Sequence, residues 1–560
     1  MKKKFTLLFF SLTLLISYSF GQSQRIVLAE EFTSTTCGPC ASQNPAYDVL
    51  LQNNLDKVVS IKYHMSWPAP GNDPFYLDNE SENNNRRAYY GINSVPSVQM
   101  DGGWWAGQPS QVNQGRINLA YDIPADFEMQ VQAVVNATED TIFVTTLIKA
   151  TEEITNNLVV HNVVTERYLY FSSPPGNNGE RDFYNVMKKM LPSASGTTLE
   201  APMSSGDYVI YQNSWALDYI YDIDELEVVS FIQNNINKSV FQSALSTADP
   251  VTPIYSLDAE VLSVRNVTTT NCFGHLTPKV TIRNNGQVDL TSMDLEYSVN
   301  GGEVMTASWS GSLGFLETAE IELSEIGFDV IENNELVIVG MQPNGGTDDY
   351  ATNNTFVYEF TQAPNLSGNV NLFMILDEAP EETTWELLNS AGDIIQSGGP
   401  YDNPGMKLEP LEVSSIDCYE LKMYDAGGNG MCCTNGDGYY AVIYGNNLTA
   451  FEGSNFGELD RNQFNFDPVG IEENTVFSEM NIYPNPVVDV LNINFNLFES
   501  SEVSIQIYDL LGKQVLDSNK GISQSGNQDF SVNISDLNSG FYLLKLSVGE
   551  QSYAKKISVK

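Results

Sequence analysis

Ile26-Val27-Leu28-Ala29-Glu30-Glu31-Phe32-Thr33-Ser34-Thr35-Thr36-Cys37-Gly38-Pro39-Cys40-Ala41 is the stretch on which the N-terminal fold turns. The apolar run Ile26–Phe32 predicts a buried strand, and a helical pattern begins near Ala41. A Cys-x-x-Cys between strand and helix puts the first sulfur at a helix N-terminus. Free N–H groups and the helix dipole there stabilise a thiolate and make it the nucleophile. Cys40 lies about one turn further on, close enough to resolve a mixed disulfide. A lone Cys-x-x-Cys is also half of a zinc site. The chain has no second such motif, and His64, His161 and His275 are its only histidines, which argues against zinc.

Together with Tyr90-Gly91-Ile92-Asn93-Ser94-Val95-Pro96-Ser97-Val98, this stretch resembles thioredoxin. The resemblance implies a thioredoxin-like α/β domain in which Pro96 is a cis-proline facing the redox cysteines. Pro96 would hold the Val95 backbone extended, so that Val95 pairs with a substrate peptide beside Cys37. Glu31, six residues before Cys37, then corresponds to a buried acid that handles the proton of the second cysteine. Lys62, in the expected strand Val58–Tyr63, corresponds to the lysine paired with that acid. A surface Glu and Lys at strand ends fit the same residues. Thr36 departs from the family, which carries tryptophan there. The span from Cys40 to Pro96 is also longer, with the excess in His64–Asn85. Trp67 in that insertion, with Trp104 and Trp105 on a later hairpin, forms either a peptide-binding rim over Cys37 or an aromatic mini-core. His64 is either an acid/base group or a packed loop residue.

The run from Asn72-Asp73-Pro74-Phe75-Tyr76 through Arg86-Arg87 and Tyr89-Tyr90-Gly91 narrows the resemblance. With Val163-Val164-Thr165-Glu166 and Val229-Ser230-Phe231-Ile232-Gln233, it looks like the twenty-eight-kilodalton outer-membrane-protein family. Those proteins join a thioredoxin-like domain to a β-sandwich, and the likeness covers roughly residues 25–246.

Composition sets the compartment. The 560 residues suffice for about four domains. A net charge of −44 argues against a nucleic-acid partner and against docking on an anionic membrane. Only 18% of residues are charged and 42% are hydrophobic, so the chain is globular and its acidity comes from scarce Lys and Arg. Met1-Lys2-Lys3-Lys4 followed by the apolar Phe5–Tyr18 reads as a signal peptide over residues 1–21, cut near Gly21/Gln22. Losing its three lysines takes the charge from −44 to −47. No later stretch is long and apolar enough to predict a transmembrane helix. Disulfides persist outside the cytoplasm.

Helical patterning is strongest at Ala41–Asn54, Asn83–Tyr90 and Asp182–Leu191. Elsewhere apolar residues alternate between Asn, Gly, Asp and Pro turns, as in antiparallel sandwiches. The expected architecture is an α/β domain at 22–125 followed by four β-sandwich segments, immunoglobulin-like or jelly-roll-like. These are 126–248, an immunoglobulin-like 249–364, a Cys-containing 365–468, and 474–560. Cys272 reads as a buried free thiol. Cys418 is expected to pair with Cys432 or Cys433, leaving one of the three free unless Cys272 reaches it. Asp425, Asn429 and Asp437 offer oxygen ligands for Ca²⁺, or simply turn chemistry. No other cofactor is expected.

Near the C-terminus stand Ile482-Tyr483-Pro484-Asn485-Pro486, Ile507-Tyr508-Asp509-Leu510-Leu511-Gly512-Lys513 and Gly540-Phe541-Tyr542-Leu543-Leu544-Lys545. They resemble the type A C-terminal sorting domain of the type IX secretion system. That resemblance implies handling by the secretion machinery at the outer membrane, normally followed by removal of the tail, and a released or surface-attached product. Two functions follow. One is thiol–disulfide exchange on protein or peptide substrates through Cys37 and Cys40. The other is surface binding or adhesion, with the disulfide structural. A hydrolase is disfavoured, since no nucleophile elbow is present.

Overall fold

A computed structural model describes residues 23–560, except 433–434, 446–447, 469–476, 478–479, 510–512 and 550. The expected signal peptide lies outside the described residues. The chain is multidomain and β-rich, and it divides between Thr252 and Pro253 into two compact units.

In the first unit β1 (Val27–Thr33) is central. It pairs in parallel with β2 (Val58–His64) and antiparallel with β3 (Ser97–Met100), beyond which lies β4 (Trp105–Gly107). Every residue of β1 and β2 is buried. Neither strand alternates apolar with polar, because both faces of the sheet are covered. On one face α1 (Gly38–Gln52) and α4 (Gln114–Tyr121) meet Val27, Ala29, Val98 and Met100 through Tyr47, Leu51, Ile117 and Ala120. The short α2 (Pro74–Asp78) and then α3 (Glu80–Tyr90) follow β2. The other face buries Leu28, Phe32, Ile61 and Tyr63 with Val163, Met187, Val229 and Phe231.

These last residues come from beyond residue 125. The sheet runs on from β2 into β8 (Asp182–Leu191), then β7 (Leu158–Tyr170), flanked by the short β9 (Thr197–Leu199), and on to β11 (Leu226–Gln233) and β12 (Val240–Leu245), joined at Lys62↔Val186. A second sheet of β5 (Phe127–Val135), β6 (Thr141–Ala150) and β10 (Tyr208–Ala216) packs over this extension. Asp182–Leu191, expected to be helical, is strand β8. It pairs with β7 along its length, and its lysines reach acids on the helical layer: Lys188 meets Asp78 at 2.8 Å and Lys189 meets Glu82 at 2.6 Å. Tertiary pairing overrides the local pattern.

Adjacent residues of a strand point to opposite faces, so Glu30 and Glu31 part company. Glu30 turns toward α3. Arg86 grips it with Nε–Oε1 at 2.6 Å and Nη2–Oε2 at 2.9 Å, and the Tyr90 hydroxyl donates to Oε2 at 2.6 Å. Arg86 also donates to Gln233 of β11 at 2.8 Å. This knot ties the helical layer to the extended sheet.

In the second unit, Ala259–Arg265, Lys279–Asn284 and Thr318–Glu322 form a three-stranded sheet. It packs on a five-stranded sheet that includes Leu290–Val299 and Asn333–Met341. A further five-stranded sheet contains Asp417–Asp425 and Leu459–Phe466. Its partner is an eight-stranded sheet that passes from Leu448–Gly453 to Gln551–Val559, joined among the described residues at Leu448↔Tyr553. The last two expected segments therefore share one sheet.

Cys272 is not a free thiol. It is disulfide-bonded to Cys418, with Cα atoms 6.0 Å apart. The Gln463 side-chain oxygen accepts from the N–H groups of Cys272 and Phe273 at 2.9 and 3.2 Å, which fixes the loop beside the bridge. This excludes the expected pairings of Cys418. Cys432 is also oxidised and forms a β-bridge with Asp437; Cys433 lies outside the described residues.

Arg86→Met leaves the Glu30 carboxylate buried without its cation. The first unit is expected to lose roughly 3–5 kcal/mol, measured as earlier urea unfolding by hydrogen exchange at β1 amides.

Candidate functional site

Cys37 caps α1. Its Sγ accepts from the Cys40 N–H at 3.1 Å, its own N–H donates to Ser34 O at 3.1 Å, and Pro39 sits in the first helical turn. The two sulfurs form a disulfide, Cα to Cα 5.2 Å. Val95 O lies 3.7 Å from Cys37 Sγ, and the Val95–Pro96 bond that follows is cis. Gly38 and Pro39 are exposed. Cys37 is only 1% exposed and Cys40 is fully buried.

Two distant segments cover the cysteines. Thr36 Oγ1 donates to Pro68 O at 2.8 Å, and Asp73 Oδ2 accepts the Thr35 N–H at 2.7 Å. From the loop between β7 and β8, Asn178 Nδ2 donates to Ser34 O at 3.1 Å and to Cys37 O at 3.2 Å. In that loop Gly176 lies so close that a Cβ would stand 2.3 Å from Thr35 O, so a side chain there would push the loop off the cysteines.

The structure places the three tryptophans in two settings. Trp67 is half-buried beside the core, under the Arg87 guanidinium at 5.2 Å. Trp104 and Trp105 line a groove with Asn113, Arg116 and Leu119 of the α4 region, and Arg116 stacks on Trp105 at 4.1 Å. His64 is a buried residue on the loop's anchor: its Nδ1 is 2.8 Å from Asp73 Oδ2. Burial pushes the Asp73 carboxyl up, but His64 and the Thr35 and Tyr76 N–H groups outweigh it and hold the carboxyl below its ordinary range.

Glu31 faces α1, opposite in β1 register to Lys62. Lys62 Nζ is 3.1 Å from Glu31 Oε2 and 2.5 Å from Asp48 Oδ1. Burial pushes the Glu31 carboxyl from 4.5 to about 7; Lys62 opposes the rise and Asp48 adds to it. Burial likewise raises Asp48, against the pull of Lys62. For Lys62 burial works downward, but the two carboxylates prevail and hold the ammonium above its ordinary value. Asp48 and Glu180 line a groove of about 690 Å³ between α1 and residues 178–184.

Asp48, Asn178 and Glu180 were not anticipated. Asp48 carried a signal: Cys40, Asn44 and Asp48 recur every four residues, a polar line on a helix that must bury that face. Asn178 and Glu180 carried none: Asn178 lies 141 residues from the Cys37 it meets, and Glu180 lies 136 residues from the Asn44 it meets.

Of the expected oxygen ligands in the second unit, Asp425 is engaged within its own turn. Asp425 Oδ2 accepts from the N–H groups of Asn429 and Gly430 at 2.9 and 3.1 Å. Among the described residues no group of three or more His, Cys, Asp or Glu is placed to hold a metal.

Residues 481–560 match the family described as the secretion system C-terminal sorting domain. The type IX machinery therefore handles the chain and exports it to the cell surface or extracellular space. No curated protein matches the chain. Among solved structures, HBP35 of Porphyromonas gingivalis is 14% identical, covering 61% of this chain and 99% of that one, with a TM-score of 0.33. A protein of Agrobacterium tumefaciens is also 14% identical, covering 41% and 98%, with a TM-score of 0.28. The CARDB domain of a Pyrococcus furiosus protein, solved in complex with di-metal ions, is 16% identical, covering 20% and 95%, with a TM-score of 0.16. No helix among the described residues is long and apolar enough to cross a membrane.

Because its pKa is raised in the folded chain to about 7, Glu31 binds its proton more tightly folded than unfolded. Its contribution to stability is full below about pH 4.5 and is lost as the pH rises through about 7. Glu31→Gln is expected to gain on the wild type by up to roughly 3 kcal/mol between pH 5 and 8, read from denaturant unfolding across that range.

Proposed function

We propose that this exported protein exchanges disulfides with extracytoplasmic proteins through a thioredoxin-like domain at its N-terminus. The observation that carries the reading is the Cys37–Cys40 disulfide at the head of α1, with Val95 O beside Cys37 Sγ. When the pair is reduced, the Cys40 N–H and the helix dipole stabilise a Cys37 thiolate. The Val95 backbone before Pro96 would serve as the docking edge for a substrate strand. Glu31 is the acid that handles the Cys40 proton, and Lys62 its partner. The electrons come from or go to a second dithiol, so no cofactor is required.

A second reading is favoured by burial. Thr36–Pro68 and Asn178–Cys37 close over a Cys37 that is only 1% exposed. In that reading the disulfide is structural, and the β-sandwiches serve surface binding or adhesion.

Redox titration of the mature chain separates the two, with alkylation at Cys37 and Cys40 mapped by mass spectrometry. Exchange predicts a reversible midpoint between about −270 and −180 mV, with Cys37 alkylated first at neutral pH. A pair that stays oxidised below about −300 mV leaves the structural reading.

A further inference from the structure

The Cys40-Asn44-Asp48 line on α1 runs from the disulfide to the wall of the groove along α1. Asn44 donates to Thr33 Oγ1 at 3.1 Å and to Glu180 at 2.8 Å. One turn on, Asp48 takes the hydrogen bond of the Lys62 ammonium at 2.5 Å. Glu31 meets the same ammonium at 3.1 Å but without hydrogen-bond alignment, and both its oxygens lack a hydrogen-bond partner among the described residues. Glu31 is sealed from solvent, whereas Asp48 forms part of the wall of the open groove along α1. Lys62 thus stands between a dry acid and one that borders water, and it leans toward the latter.

We propose that Asp48 is a positioning residue for proton transfer at the Cys37–Cys40 disulfide. By drawing the Lys62 ammonium to itself, it leaves Glu31 able to carry a proton, and through the groove it connects that proton to water. The inference rests on the exchange reading above and names the residue that tunes it.

The chemistry balances with a dithiol partner. One partner thiolate attacks Cys37 Sγ, a new S–S bond forms, and the Cys37–Cys40 bond breaks. Cys40 leaves with the electron pair as a thiolate and takes a proton from Glu31, which recovers one from water by way of the groove. The partner's second thiolate then attacks the mixed disulfide, closes the partner's own disulfide, and releases Cys37. The partner is oxidised and the Cys37–Cys40 pair reduced; the reverse reaction retraces these steps.

Several groups face this pair. They are Tyr47 from α1, Lys62 from β2, Glu180 from the loop before β8, and Asp182 and Tyr184 from β8; Arg181 lines the groove. Lys62 is the buried cation among them, so the carboxylate it favours is the one held ionised. Without a charge at Asp48, the ammonium turns wholly to Glu31, and Glu31 gives up its proton at lower pH.

The test uses the full mature chain. Reduction of Cys37–Cys40 by dithiothreitol is followed from pH 5 to 9 by acid quench, alkylation and mass spectrometry, with rates normalised to the reagent's thiolate. The wild-type rate is expected to break near the about 7 of Glu31, and Glu31→Gln to abolish that break. Asp48→Asn should move the break down by about one pH unit or more, and Asp48→Glu should restore it. A break unmoved in Asp48→Asn, with wild-type exchange intact, overturns the inference and leaves the exchange reading standing. A wild-type disulfide that never exchanges overturns both. Should Asp48→Asn fail to fold, the wild-type profile decides: a Glu31-dependent break near or below pH 5 means that Lys62 already holds Glu31 ionised, and the inference falls.

Discussion

Two consecutive glutamates in a fully buried strand impose the constraint around which the first unit is built. Strand geometry sends Glu30 and Glu31 to opposite faces, so one cation cannot serve both. An unpaired buried carboxylate is too costly to keep, so each face must bring its own base. Arg86 reaches Glu30 from α3, and Lys62 reaches Glu31 from the neighbouring strand. The Arg86 side chain also donates to Gln233, so the same guanidinium ties the N-terminal sheet to the following sandwich. The segments before and after residue 125 share a core and a sheet.

The two pairs differ in kind. Arg86 and Glu30 meet through a planar fork with two parallel hydrogen bonds, which suits a permanent fastening. Lys62 is a point charge divided between Glu31 and Asp48, and such an arrangement can shift with protonation. The divided pair lies on the face that carries the cysteines. The cover over Cys37 is held by hydrogen bonds that Pro68 O and Asp73 accept and that Asn178 donates. Opening such a cover exchanges hydrogen bonds with the protein for hydrogen bonds with water, which costs little per bond.

Short-range chemistry was legible in the sequence and long-range partnership was not. The Cys-Gly-Pro-Cys turn, the strand before it and the sorting motifs after residue 481 each announce themselves within a few residues. Asp182–Leu191 misled because its apolar spacing also fits a helix; only pairing with β7 and the acids waiting for Lys188 and Lys189 make it a strand. The Cys272–Cys418 bridge joins residues 146 apart, and cysteine spacing cannot reveal such a partner. At the candidate site, Glu31, Lys62 and Cys37 stood close to a motif. Asn178 and Glu180 arrive from another part of the fold and have no local mark.

The Leu448↔Tyr553 pairing has a consequence for maturation. It is the seam along which the sorting tail continues the sheet of the preceding sandwich, with the tail's Leu543 packed over an apolar patch of Phe373, Ile375, Ala441 and Ile443. Cutting the tail away would bare that patch and turn Leu448–Gly453 into a raw edge, with unpaired N–H and C=O groups ready to accept another strand. Export would then do more than deliver the protein. It would unmask an adhesive margin that the tail had kept covered in transit.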